Sequence, residues 1–212
     1  MAAGEKATKR ISSSYAILVV ADMAIAFLWI FLNAMARVAV DLGFPFIEVI
    51  AYAAAGITHY PTSVLSLRVP AQIVGAILGA SAAVSSLPAK YQPMMTGPFL
   101  RVDCHVGAMV EAVLTFAVVF IALATSLKGP KSGIRKTWIT SISRVSLSVL
   151  GAEYTGPAMN PANAFGWAYW KNQHNTWEHM YVYWIAPILA TFAAAWIVRA
   201  VLLSSKVKEK KA

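Results

Sequence analysis

Asn160, Pro161 and Ala162 stand in the run YTGPAMNPANAFGWAY, residues 154–169, which also holds Pro157 and Asn163 and no charged residue. The chemistry on offer is amide hydrogen bonding and backbone dipole. Pro161 suits the first turn of a helix, where its missing N–H costs nothing, and Asn160 falls where an N-cap belongs. The apolar stretch that follows is about nine residues long, enough for half a membrane span. Such a half-helix, opening into a cavity, would offer its N-terminal dipole and an Asn amide, which orient water and repel cations. The same letters also describe an ordinary loop with a capped surface helix, because Asn-Pro is common in turns.

Few other residues could do chemistry. Asp22 and Glu111 are acids inside apolar runs, where a charge is costly and is functional by default. Arg144 interrupts another such run and either snorkels to the interface or pairs with an acid. His59, His105, His174 and His179 lie at the edges of apolar segments, as expected of solvated interface residues, and no spacing suggests a metal site. Tyr181, Tyr183, Trp170, Trp177 and Trp184 read as an aromatic belt. The lone Cys104 excludes an internal disulfide and a cysteine metal cluster. No catalytic cluster and no cofactor motif is present, which argues against an enzyme.

Composition names the solvent. Apolar residues make up 58% of the 212 and charged ones 13%, against about 45–50% and about 25% in ordinary soluble domains. Mean hydropathy is +0.61, so the expected partner is the lipid bilayer. The net charge of +9 does not imply nucleic acid. Its basic residues gather at the first ten positions, at Lys128–Lys136 and at Lys206–Lys211, as cytosolic anchors do. One membrane domain is expected over 1–212, with cytosolic tails at 1–14 and 204–212.

Spans of about 20 apolar residues cross roughly 30 Å of hydrocarbon. Four stretches qualify: 15–36, 63–87, 105–127 and 179–203. A fifth, 137–152, is short, serine-rich and broken by Arg144. The second carries a small-residue ladder, Gly75, Gly79, Ser81 and Ala83, suited to close helix packing. With all basic segments inside, the chain must return inward between Arg37 and Thr62. Only FPFIEVIAYAAAGI, residues 44–57, is available, and such a length more often marks a re-entrant or interfacial piece.

The words GPAMNPANAFGWAY resemble the second signature loop of the aquaporin family, Tyr-Thr-Gly-x-x-x-Asn-Pro-Ala, and in particular the plant small basic intrinsic proteins. VPAQIVGAILGA (69–80), KGPKSGIRKTW (128–138) and HNTWEHMYVYWIAP (174–187) extend the resemblance, which is continuous from about Gly56 to Arg199. It implies an all-α integral membrane bundle of two inverted halves, a homo- or hetero-tetramer that passes water or small neutral solutes. Under that resemblance Asn160 donates its amide to passing water, and Pro161 and Ala162 form the helix turn. Asn163 replaces the Arg that typically follows the motif and excludes cations, while Pro157 falls at another constriction position. Ser148 falls where many relatives place a pore-lining His. Glu111 and Asp22 take the role of acids that accept the backbone N–H groups of the signature loops, although Asp22, about two turns into its span, reads equally as an acid solvated at the interface. In KEKKA, Lys208 and Lys210 resemble a dilysine endoplasmic-reticulum retrieval signal; a solvated basic tail reads the same way.

One part of the resemblance is missing. No second Asn-Pro precedes Asn160, and AGITHYPTSVLSLRVPAQ looks like the segment that normally follows the first half-helix. The first signature loop and most of the second span are therefore expected to be absent. That leaves five spans, one short apolar segment and a single half-helix after Asn160. The chain is then either a channel with a degenerate first half or a non-conducting truncated form that at most joins hetero-oligomers.

Overall fold

The computed structural model describes residues 46–57, 62–95 and 97–203, all within one compact unit, Phe44–Ala212. Asp22, His59, Lys208, Lys210, both tails and the first expected span lie outside the described residues. No strand occurs among the described residues, and the helices run α1 Phe46–Ala54, α2 Thr62–Ser85, α3 Cys104–Lys128, α4 Gly133–Gly151 and α5 Pro161–Trp170. A last long segment joins α6 Trp177–Met180 to α7 Ala186–Val198 through a wide turn of helix, Tyr181–Ile185.

Local chemistry explains the boundaries. Asp103 caps α3 by accepting from the His105 N–H at 2.8 Å, and those backbone N–H groups hold its carboxyl below the usual carboxylate range. Ser132 caps α4 and Thr176 caps α6 in the same manner. At the α3–α4 junction the Lys136 ammonium donates to the Ser126 carbonyl at 3.0 Å, satisfying an end group of α3.

Among the described residues, three segments are long and apolar enough to cross a membrane by length and composition: Leu67–Ser85, Cys104–Lys128 and Trp177–Val201. At 19 residues, α4 would reach about 28 Å, yet its serines and Arg144 keep it out of that set. Its large exposed residues toward the C-terminal end are nonetheless apolar, Ile142, Val149 and Leu150, with Ser146 exposed among them, whereas Thr140, Ser141 and Gly151 are buried. A helix polar inside and apolar outside is the arrangement a bilayer selects.

Inside the bundle, α3 lies against α7 and α4, and α1 against α7, α3 and α2. The second short helix, α5, rests mainly on α2. Gly166 makes that approach possible: a Cβ there would stand 2.5 Å from the Ala76 carbonyl oxygen. The expected ladder on α2 does not serve this contact. Gly75 and Gly79 meet nothing within 4 Å, because the inward face of α2 is the one carrying Ala76, Ala80 and Val84.

The expectation of a single half-helix is corrected. FIEVIAYAA forms a nine-residue helix, about 14 Å long, too short to cross by itself. It is a buried companion to the ten-residue α5, which it touches. Ile47 in its first turn shares one buried cluster with Met159 and Ala162 at the start of α5. What is missing from the first half is the Asn-Pro pair, while the short helix itself is present.

Candidate channel site

The chain between α4 and α5 is irregular backbone inside a membrane protein, so each of its polar groups needs a partner. Gly156 and Met159 both take positive φ, +52° and +44°, which folds residues 155–160 back before α5 begins. Met159 is not a residue that adopts this conformation cheaply. It is held there by packing, since its side chain is 1% exposed, and by a hydrogen bond from its own N–H to Glu111.

Glu111 sits at the centre of this loop, fully buried on α3. One carboxylate oxygen accepts from the Thr155 hydroxyl at 2.8 Å and the Ala158 N–H at 3.1 Å, and the other from the Met159 N–H at 3.1 Å. Thr155 is also held through its carbonyl, which accepts from the Tyr183 hydroxyl at 2.8 Å and the Phe99 N–H at 3.1 Å. The Arg101 N–H donates to the Tyr154 carbonyl at 2.9 Å, and its side chain pairs with Glu153 at 2.9 Å. The segment before α3 thus lies alongside the loop like a strap.

Asn160 then caps α5: its Oδ1 accepts from the Ala162 N–H at 3.3 Å, and Pro161 occupies the first turn. The side-chain N–H₂ group, on the other side of the amide, points away from that bond. Asn160 is half-buried, Pro161 and Ala162 are buried, and Asn163 one turn on is exposed. Pro157 packs near Gly151, where a Cβ would lie 2.4 Å from both Pro157 and Leu114. Ser148 is half-buried on α4 and donates to the Arg144 carbonyl at 2.9 Å.

Two aromatic and histidine expectations change. His179 is buried, its Nε2 accepting from the Trp184 indole N–H at 3.2 Å, with the Phe165 and Tyr183 rings beside it. Tyr183 is likewise buried and serves the loop, because the wide turn Tyr181–Ile185 directs it inward. Trp177 and Trp170 remain exposed, as a belt requires.

Arg144 on α4 donates to Glu48 in the first turn of α1 at 2.7 Å, with side-chain exposures of 16% and 2%. The signal in the sequence was two opposite charges, each alone in an apolar segment.

These features define a helical membrane protein whose interior is organised by two short helices and an uncharged loop. The major intrinsic protein family model matches residues 39–198. Among curated relatives, aquaporin SIP1-2 of Zea mays is 51% identical over 166 residues, 77% of this chain and 68% of the relative. Aquaporin SIP1-1 of Oryza sativa subsp. japonica is 51% identical over 167 residues, 76% of this chain and 68% of the relative. The probable aquaporin SIP2-1 of Arabidopsis thaliana is 32% identical over 220 residues, 87% and 91% of the two chains. The chain belongs to the major intrinsic protein family, with small basic intrinsic proteins among its relatives.

Proposed function

We propose that this chain forms a channel for water or small neutral solutes, with Asn160 as the donor that meets the solute. The observation that carries this reading is the start of α5. An Asn cap spends its carbonyl on the helix and keeps its N–H₂ group free to donate, on a loop fixed by three bonds to Glu111. A fixed donor at a helix N-terminus suits a lone pair such as that of water, and the helix dipole disfavours cations. Pro161 and Ala162 shape the turn, while Asn163, Pro157 and Ser148 line the approach. Glu111 supports the loop, and Asp22 is proposed as its counterpart for the first half.

The exposed apolar residues Leu67, Val74 and Leu78 of α2 support association into a homo- or hetero-tetramer within the bilayer. Lys208 and Lys210 support residence in the endoplasmic reticulum. Their replacement by Ala in a tagged chain is expected to move it onward along the secretory route.

The test is stopped-flow shrinkage of liposomes holding the full chain. The expected result is a rate above that of empty liposomes, falling when Asn160→Asp is introduced. A rate equal to that of empty liposomes supports the second reading, a non-conducting partner in hetero-oligomers, which the lack of an Asn-Pro pair before Asn160 favours.

A further inference from the structure

Arg144 and Glu48 form an ion pair in the interior of a membrane protein, and its location is specific. On α4 the residues Ser141, Arg144, Ser148 and Gly151 fall on one face at intervals of three and four, and the exposed residues Ile142, Val149 and Leu150 on the other. Arg144 is therefore one turn from Ser148 on the inward, polar side, and the hydrogen bond between Ser148 and the Arg144 carbonyl marks that turn. Its partner Glu48 belongs to the first turn of α1, whose neighbour Ile47 shares a buried cluster with the start of α5.

The pair is unsymmetrical. The Glu48 side chain is 2% exposed and that of Arg144 16%, so what little of the pair is exposed belongs to Arg144, while its Nε is buried. Near it, the Ser141 hydroxyl is buried without a hydrogen-bond partner among the described residues, one turn from Arg144 on the same face. The Thr115 hydroxyl is in the same condition one turn beyond Glu111. Buried hydroxyls of this kind are satisfied by small polar molecules, water above all.

We propose that Arg144 is a specificity-determining residue of the channel: held by Glu48, it presents a fixed cation to the polar path and excludes protons and metal cations. The proposal rests on the channel reading above. It accounts for the uncharged first turn of α5, where Asn163 adds no positive charge. A guanidinium stays charged at any working pH. Beside the N-terminus of α1 its field adds to that of the helix, and a monovalent cation meets a barrier that water does not. Glu48 has the opposite duty: it complements the N-terminus of α1 and keeps the buried cation from being isolated.

The experiment compares the full-length chain with the double variant Glu48→Gln/Arg144→Met in liposomes. Water flux is read by shrinkage, and proton flux by an entrapped pH dye under an imposed potassium diffusion potential. The expected result is a rise of about tenfold or more in the ratio of proton to water flux, the size of effect a single fixed charge at close range supplies. An unchanged ratio in a water-conducting double variant overturns the proposal and leaves the channel reading intact. A wild-type chain that passes no water overturns both. Should the double variant not reconstitute, the exchange Glu48→Arg/Arg144→Glu decides. It puts the carboxylate at the accessible end, and a proton-tight, water-conducting exchange variant refutes the idea.

Discussion

The two short helices, α1 and α5, differ by one residue in length and touch each other inside the bundle, yet they are held by different means. The start of α5 is fixed through its backbone: Glu111 accepts from two successive N–H groups and a hydroxyl, and Asn160 caps the helix. The start of α1 is tied through a side chain, with Glu48 in its first turn paired to Arg144. Backbone bonds specify a conformation, including the positive φ of Met159, and leave the surrounding surface neutral. An ion pair specifies only the distance between two elements and introduces charge. One short helix thus starts from an uncharged, backbone-bonded loop, and the other from a buried pair of opposite charges.

Removing the acid on the α5 side is expected to have the largest effect. Glu111→Ala strips three buried donors of their acceptor, at about 1–3 kcal/mol each and roughly 3–9 kcal/mol together. Denaturation in detergent, followed by circular dichroism, should show the loss along with abolished water flux. Full stability would mean that the loop is held by its packing, and the contrast between the two helices would fail.

The α1 side should respond less and in a different pattern. Glu48→Gln or Arg144→Met alone isolates a buried charge and is expected to destabilise by about 3–5 kcal/mol, whereas the double variant should recover most of that loss. No second substitution fully rescues Glu111→Ala, because two of its three partners are main-chain groups. Equal damage from single and double variants would show that the pair is not a unit.

Packing beneath α5 gives the next effect. Gly166→Ala drives a Cβ to 2.5 Å from the Ala76 carbonyl oxygen, where backbone must shift, and about 1–3 kcal/mol is expected from overpacking of this kind. Thermal melting in detergent would detect it. At Gly75 the same substitution meets open space and should leave the melting temperature nearly unchanged.

The asymmetry also explains what could be read from the letters. A helix start announces itself locally, so Asn160-Pro161 was legible as a cap and first turn, whereas the link between Glu111 and the loop came from the family resemblance. That the chain is a membrane protein was legible from hydropathy, while the aquaporin-like bundle rested on the family resemblance. The start of α1 has no Asn-Pro, so only its shortness marked it, as a re-entrant or interfacial piece. Its anchor lies 96 residues away on α4, and no local pattern encodes a pairing over that distance. Burial of Tyr183 was not legible because it lies in the wide turn Tyr181–Ile185, which departs from the regular helical period, and burial of His179 depends on the distant Phe165 ring.

The smallest expected change in stability carries the most about function. Asn160→Ala removes the cap and should cost about 1 kcal/mol, while Asn160→Asp, an equally good cap, should cost less than that. The two variants therefore separate the two jobs assigned to one side chain. Its Oδ1 holds the Ala162 N–H, a task that aspartate performs, and its N–H₂ group donates to the solute, which aspartate cannot do. If both jobs are real, Asp restores the melting temperature relative to Ala but leaves water flux low. Recovery of flux together with stability would reduce Asn160 to a helix cap, and α5 to a structural match for α1.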